Sequence, residues 1–241
     1  MKRTGIALAL AFAAANLHAA GGLLYVHTAR GASEIGFGGA KTAAVAGTSG
    51  AAKDAKISGG KGVFAVLSNK TAFLLAEDSE LEIGKFEQVA PFKDDLSNDS
   101  ESTTSACEMT LKKGALHVRA PQLRPTSSLK IKTPEAELEA ESRGFSVSTN
   151  GGKTEVLPVE GALVVKTKNG KTDIVKTGQR AVVCGGKITI DYARVSEVEA
   201  AKKKIAQCKF AADTTLFKCG EKISAERSVK KSFFGYGQNF D

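Results

Sequence analysis

Apolar and polar residues alternate along much of the chain, most clearly between residues 128 and 183. Apolar side chains occupy every second position in three runs: Leu129/Ile131, Ala136/Leu138/Ala140 and Phe145/Val147. Glycines that suit turns separate such runs, as at Gly151 and Gly152. A period of two is typical of strands that bury one face. The pattern therefore predicts a meander of short strands.

The same kind of pattern extends upstream of this region. Residues 63–67, 72–76 and 80–83 are strand candidates, and polar turn-forming groups separate them. Strands that recur about every eight to ten residues are expected in all-β domains. We therefore predict an all-β body in the form of a sandwich, roll or solenoid, with the strand order left open.

The period changes after Ile190. Val195, Val198, Ala201 and Ile205 recur at helical spacing. Ser196 with Glu199 three positions later has the form of a capping box. One short C-terminal helix is predicted over about 197–207, followed by a basic tail that ends at residue 241.

The first residues have the form of an export signal. Lys2 and Arg3 precede an apolar run and a small-residue exit at Ala19 and Ala20, so cleavage is predicted after Ala19. A membrane anchor is the weaker interpretation, because the apolar run is about a dozen residues and a span needs ~20. The predicted organisation is a signal peptide over 1–19, Gly/Ala-rich strands over 20–61, a β domain over 62–190 with an acidic loop at 91–105, and a helix and basic tail over 191–241. The predicted location is the periplasm or the exterior of a bacterial cell.

Charge changes this picture little. The formal net charge of +8 becomes +6 once Lys2 and Arg3 are removed, and much of the remaining excess lies late in the chain. A basic tail is compatible with contact to anionic lipid, a cell-wall polymer or nucleic acid, and nucleic acid is the least natural partner for an exported protein. A solvated charged surface is the simplest interpretation, and a soluble mature chain is expected.

Four cysteines are expected to form disulfides. They are Cys107, Cys184, Cys208 and Cys219. An even number in an exported chain favours two disulfides over four thiols, and three pairings are available. Cys208 with Cys219 would close a short local loop, which would leave Cys107 with Cys184. No C-x-x-C pair is present, so a zinc site is not predicted.

One predicted strand has an acidic face. Its residues are Glu135, Glu137, Glu139 and Glu141, with Arg143 two positions further on. Like charges on one face repel unless basic residues lie opposite them. One interpretation is a row of cross-strand ion pairs with Lys130 and Lys132, or with Lys166 and Lys168. The other is that these glutamates and Arg143 bind a partner, the glutamates forming a docking strip for a basic protein.

The acidic loop over 91–105 also offers carboxylates, at Asp94, Asp95, Asp99 and Glu101. It lacks the central glycine and fixed spacing of a calcium loop, so no metal site is predicted, and it is expected to be a mobile insertion with little to bury.

A search for catalytic residues finds no set that works together. His27 and His117 remain after signal removal, and neither has a partner that the sequence identifies. No G-x-S-x-G motif is present. We therefore predict a non-catalytic protein without a cofactor.

A set of short motifs recurs in order along the chain. They are Thr133-Pro134-x-Ala136, Phe145-x-Val147, Thr154-x-Val156, Glu160-Gly161-x-Leu163-x-Val165 and Gly178-Gln179, with Asp78-Ser79-Glu80-Leu81-Glu82-Ile83 and Leu111-x-x-Gly114-Ala115-Leu116-x-Val118 upstream. Their order and spacing resemble those of the FecR domain, the periplasmic module of iron-dicitrate sensor proteins. The resemblance covers roughly residues 62 to 183. One departure is that Ser142-Arg143 stands where the family usually has Gly-Thr.

The resemblance implies a β-surface that recognises the signalling domain of an outer-membrane transporter. The usual cytoplasmic segment and membrane helix are replaced here by the predicted signal peptide, which argues against an anti-sigma role. We therefore predict a stand-alone exported module that binds a protein or an envelope polymer, in signalling or envelope organisation. A structural surface protein without a specific ligand and an envelope hydrolase are the alternatives.

Overall fold

The computed structural model describes residues 19–89, 99–219 and 223–228. Strands dominate this part of the chain and a single helix follows most of them, which confirms the predicted all-β class with a C-terminal helix. Nearly all of the predicted signal peptide, residues 90–98 with the first part of the acidic loop, and the tail beyond residue 228 lie outside the described residues. In chain order the elements are β1 (Ala19–Gly21), β2 (Leu23–Ala29), β3 (Glu34–Phe37), β4 (Ala40–Ala43), β5 (Ser49–Ala51), β6 (Ala55–Gly59), β7 (Val63–Leu67), β8 (Ala72–Leu75), β9 (Ser79–Val89), β10 (Ser105–Arg119), β11 (Ser128–Lys132), β12 (Ala136–Ala140), β13 (Gly144–Asn150), β14 (Lys153–Glu160), β15 (Ala162–Thr167), β16 (Thr172–Lys176), β17 (Gln179–Cys184), β18 (Lys187–Tyr192), α1 (Val195–Asp213), β19 (Thr215–Cys219) and β20 (Ile223–Arg227).

Most of the described strands belong to two sheets. The first sheet has the order β4-β3-β6-β9-β10-β11-β12-β15-β16, and β1 pairs with the end of β9. The second has the order β5-β2-β7-β8-β10-β13-β14-β17-β18. All of these pairings are antiparallel except β10 with β11, which is parallel. The N-terminal strands β2 to β6 thus pair within the same two sheets as the later strands.

Strand β10 belongs to both sheets. Its first half pairs with β9 and β11, and its second half pairs with β8 and β13. The change occurs at Gly114, which has a φ of +86°. A residue with a side chain rarely adopts this conformation, so glycine permits the bend that carries one strand from sheet to sheet.

The two sheets enclose one core. The inward residues of both sheets form a continuous apolar cluster that includes Phe73, Phe86 and Phe145, all fully buried. From β11 onward, successive antiparallel pairs alternate between the sheets, because β11–β12 and β15–β16 lie in the first sheet while β13–β14 and β17–β18 lie in the second. Pro158 lies beside a register shift in the pairing of β14 with β13. Proline has no backbone N–H to donate to a neighbouring strand, so irregular positions of this kind suit it.

The outer face of the second sheet is covered by α1. Ala201, Ile205, Cys208 and Ala211 are buried on the helix, which packs against β7, β8, β10, β13 and β14. The predicted helix is confirmed, but its predicted limits are too short. The capping box is also displaced from Ser196 and Glu199, because Arg194 N donates to Glu197 Oε2 at 3.1 Å. No described helix has the length and apolar character that crossing a bilayer requires.

The structure does not show the predicted disulfides. Cys107, Cys184 and Cys208 are free thiols. Cys107 is fully buried in the core on β10, whereas Cys184 is exposed at the end of β17, so the chain does not bring the two together. Cys208 lies on the buried face of α1, where its Sγ donates to His117 O at 3.5 Å.

These positions predict the order in which the thiols react. Burial raises the pKa of the Cys208 thiol to about 12 and raises that of Cys107 further. A protonated thiol reacts with alkylating reagents far more slowly than a thiolate does. Iodoacetamide should therefore label Cys184 within minutes, and should label Cys107 and Cys208 only when the protein unfolds. Peptide mass spectrometry with and without urea measures this. Fast native labelling of Cys107 would contradict the buried position.

Candidate functional site

The outward side chains of the first sheet carry charges in rows that cross the strands. One row, in register, is Lys56, Glu82, Thr110, Lys132, Glu137, Lys166 and Thr172. The next row is Lys85, Glu108, Lys130, Glu139, Val164 and Ile174. The sign alternates at most steps from one strand to the next. Such cross-strand pairs of opposite charge stabilise a sheet modestly.

The predicted acidic face lies within these rows. Glu137 stands between Lys132 and Lys166, and Glu139 stands beside Lys130, which are three of the four lysines that the sequence suggested. Lys130 Nζ lies 3.9 Å from Glu137 Oε1, so the cross-strand ion-pair interpretation fits this part of the strand. Exposed pairs of this kind contribute little stability, typically below about 1 kcal/mol.

Neighbouring glutamates on the same face also have lysine partners. Lys132 Nζ lies 2.9 Å from Glu108 Oε2, and Lys112 Nζ lies 2.7 Å from Glu82 Oε2. The hydrogen bonds from these lysines lower the pKa values of both carboxyl groups. Glu135, at the start of the predicted acidic face, accepts a hydrogen bond from Gly185 N at 3.2 Å and lies 3.9 Å from Lys168 Nζ.

The pairing stops at the end of β12. Within the described residues, Glu139 and Glu141 are exposed and have no basic nitrogen within 4.0 Å. Beside Glu139 the row continues into Val164 and then Ile174, which is 54% exposed on strand β16. An exposed apolar residue next to unpaired charges is unlike the rest of this face.

We call this region the patch. It consists of Glu139, Glu141, Val164, Ile174 and Lys176. Its centre is apolar, its β12 side is acidic, and its β16 side is basic at Lys176. Protein interfaces have this general arrangement of an apolar centre within a polar rim.

Arg143 lies next to the patch in a cluster of two arginines and two carboxylates. Arg119 Nη2 donates to Asp99 Oδ2 at 2.6 Å, and Arg119 Nη1 donates to Glu160 Oε2 at 3.1 Å. Arg143 Nη2 also donates to Asp99 Oδ2. Because Arg119 is buried, these partners supply the charge that its burial requires. Arg143 therefore joins the β12–β13 corner to Asp99.

Glu101 fixes the end of the acidic loop in a second way. It is buried, and it accepts hydrogen bonds from Ser105 Oγ, from Ser127 Oγ and from Arg124 N, the last at 3.2 Å. Residues 99–104 are therefore anchored to the body rather than mobile, which corrects that part of the prediction. No group of three or more metal-ligating side chains is present among the described residues. The carboxylates of Asp99 and Glu101 accept hydrogen bonds from protein groups instead.

The two described histidines lie on the opposite side, beneath the C-terminal elements. His27 Nε2 is 3.0 Å from Thr214 Oγ1 at the end of α1, and burial, with a smaller effect of Arg227, lowers the pKa of His27 to about 4. His117 Nδ1 is 2.7 Å from Ser146 Oγ, and burial, with a smaller effect of Lys204, lowers the pKa of His117 to about 3. Both are neutral and serve in packing.

Comparison with known proteins agrees with the motifs. Residues 53–164 match the family described as FecR protein. This match confirms the FecR resemblance. The matched residues 53–164 contain β12, all four residues of the arginine cluster, and Glu139, Glu141 and Val164 of the patch. Ile174 and Lys176 lie beyond them.

Two crystal structures of a candidate anti-sigma factor from Parabacteroides distasonis, at 2.50 and 1.65 Å resolution, also resemble the chain. Each has a TM-score of 0.44, with 12% and 14% sequence identity. The matches cover 59% and 60% of this chain and 61% and 63% of those chains, so this chain spans about three fifths of their length. No curated protein matches the chain significantly.

Sequence reasoning found the acidic half of the patch but missed its apolar and basic half. The sequence did contain one indication of the missed half, because the alternation of side chains along β15 and β16 places Val164 and Ile174 on one face of the sheet. The pairing of β12 with β15 joins segments that are distant in the chain, and the local sequence pattern does not show which strands pair.

Proposed function

We propose that the chain is a non-catalytic, exported binding module of the bacterial cell envelope, which binds a protein partner in signalling or envelope organisation. The observation that carries the proposal is the patch, where two glutamates are left unpaired near exposed Ile174, while other glutamates on this face, such as Glu82, Glu108 and Glu137, have lysine partners. The FecR match supports a regulatory role, because the resemblance implies recognition of a signalling domain by β-surfaces. Glu139 and Glu141 would receive basic side chains, with Arg143 holding the adjacent corner.

Export is part of the same proposal. The basic and apolar N-terminal residues support it, and the predicted cleavage point coincides with the start of the sheet. Ala20 and Gly21 pair with Gln88 and Glu87, so cleavage after Ala19 would leave this pairing in place. N-terminal sequencing of the mature protein is expected to begin at Ala20.

The hydrolase alternative has less support. It requires two carboxylates that converge and at least one with a raised pKa. Glu137 and Glu139 lie on a sheet face among lysines, and the pKa values of Glu82 and Glu108, the two carboxyl groups with shifted pKa values in the part of the chain that the structure describes, are both lowered.

The test is a pull-down of the tagged chain from envelope extract after crosslinking in cells. We expect one stoichiometric protein. The double variant Glu139→Lys/Glu141→Lys should reduce its recovery tenfold or more, because like charges across an interface cost several kcal/mol and about 1.4 kcal/mol corresponds to tenfold.

The matched control reverses two glutamates of the first sheet that lie outside the patch, Glu34→Lys/Glu87→Lys. This control should recover the partner normally. Recovery of glycan, or of no partner, would favour the structural alternative. Equal loss in both double variants would show that overall charge rather than the patch matters.

A further inference from the structure

Strand β16 ends the first sheet with an open edge. Among the described residues it pairs with β15 and with no other strand. Thr177 N donates to Gly161 O at 3.0 Å and Thr167 N donates to Lys171 O at 2.8 Å, and hydrogen-bonded pairs alternate in an antiparallel ladder. The backbone groups of Asp173 and Val175 therefore point toward β15.

The groups of the intervening residues point away from the sheet. These are the N–H and C=O of Thr172 and Ile174, because they occupy the alternate positions of the ladder. Lys176 confirms the direction, since its N–H is capped by Gln179 Oε1 at 2.8 Å instead of by β15. An edge of this kind can accept a further strand from another chain.

The charge of the side chains around this edge indicates which kind of strand would bind there. The β15–β16 hairpin, residues 162–176, carries four lysines against one aspartate, a net charge of +3. The lysines are Lys166, Lys168, Lys171 and Lys176. A second copy of the same edge would bring +3 against +3, so self-pairing is disfavoured, and an acidic strand is favoured.

The two faces of β16 add a second requirement. Ile174 is exposed on the outer face, and Val175 is buried on the inner face against the core. A strand laid beside β16 would therefore gain from an apolar residue opposite each of them, and from acidic residues near Lys176 and Lys171. Cross-strand apolar and opposite-charge pairs are each favourable.

We propose that β16 binds an extended acidic segment of a partner protein as an added strand of the first sheet. This inference rests on the proposed function as a protein-binding module, and it names the form of the partner at the β16 side of the patch. The backbone of the segment bonds to Thr172 and Ile174, an apolar side chain covers Ile174, and its carboxylates face the hairpin lysines.

The test is selection of a displayed library of random nonapeptides on the immobilised full-length protein, followed by fluorescence anisotropy with the enriched peptides. Enriched sequences should place two adjacent apolar residues, opposite Ile174 and Val175, between Asp or Glu residues, and binding should weaken as salt rises. Ile174→Pro removes an outward donor without removing a bond to β15, so it should weaken binding at least tenfold.

The controls separate the edge from the fold. Ala43→Pro makes the matching change on β4, the open edge at the other end of the sheet, where Ala44 N bonds Ser33 O and Ala43 points outward. It should leave binding unchanged. Lys171→Glu/Lys176→Glu keeps every ladder group and should also weaken binding tenfold, which covers the case in which Ile174→Pro fails to fold.

The inference is overturned if no peptide is enriched over an uncoated surface, if the enriched peptides are not acidic, or if they bind the Lys171→Glu/Lys176→Glu variant within twofold of the unchanged protein. Its failure is distinguishable from failure of the proposed function. If only the β16 inference fails, Glu139→Lys/Glu141→Lys still abolishes recovery of the crosslinked partner, whereas Ile174→Pro and Lys171→Glu/Lys176→Glu leave that recovery unchanged.

Discussion

Replacing Gly114 by valine is expected to lower the free energy of unfolding by about 3 kcal/mol or more. At a φ of +86°, a β-branched residue is strained by roughly 1–3 kcal/mol. A Cβ atom there would lie 2.0 Å from Ser79 Oγ and 2.7 Å from Ser79 Cα, and overpacking of this kind costs roughly 1–3 kcal/mol more. The strain falls where β10 passes from one sheet to the other, so it affects both sheets.

Ser79 cannot move aside freely. Its Oγ accepts a hydrogen bond from Ala115 N at 2.9 Å and donates one to Glu77 O at 3.2 Å. A valine at position 114 therefore also displaces a hydroxyl that satisfies the backbone beside the bend.

Urea titration followed by circular dichroism measures the loss. Gly84→Ala is the matched control, since this glycine lies on the adjacent strand β9, has no positive φ, and its added Cβ would meet nothing within 4 Å. It should change the free energy of unfolding by less than about 1 kcal/mol. Equal stability of the two variants would show that β10 does not need glycine in order to bend.

Acidification from pH 7 to pH 5 is expected to reduce the free energy of unfolding by about 3–4 kcal/mol. His27 and His117 have pKa values lowered by burial to about 4 and about 3, while the unfolded chain has ordinary histidines near 6.5. The unfolded state therefore binds more protons as the pH falls below about 6.5. Stability is full above that pH and declines as the pH falls, by about 1.4 kcal/mol per unit for each histidine.

The positive groups that face these histidines strengthen the effect. Arg227 lies near His27, and Lys204 of the covering helix lies near His117. A protonated ring in either place meets a like charge as well as a dry environment. Because both rings lie under α1 and its neighbours, the C-terminal layer should loosen first.

Urea titrations at half-unit pH steps test this. His27→Gln and His117→Gln should each flatten the slope between pH 6.5 and 5 by about half, and the double variant should remove most of it. The slope is compared rather than the absolute stability, since either replacement also changes packing. Glu82 and Glu108 have pKa values lowered from 4.5, so their contribution is lost only below that pH and stays outside this window. An unchanged slope in the double variant would refute the assignment to the histidines.

Much of the candidate site follows from local pattern, and part of it does not. The alternation of Glu135 to Glu141 with Ala136 and Leu138 was enough to predict one acidic face, because a strand has a side-chain period of two. Its lysine neighbours were left as two alternatives, and the strand pairing places lysines from both beside it. The structure does not show the predicted Cys107–Cys184 disulfide, because the number of cysteines says nothing of distance and the fold separates buried Cys107 from exposed Cys184.

The sequence by itself determined most strands of the two sheets, the single C-terminal helix and the FecR resemblance, since each depends on residues close together in the chain; it did not predict β19 and β20 after the helix. The tertiary structure alone decided that β10 joins both sheets, that β15 stands beside β12 with β16 beyond it, and that Arg119, Arg143, Asp99 and Glu160 form one cluster. The physical reason is that strand order depends on pairing between distant segments, and the alternation within a strand selects its buried face but not its neighbour.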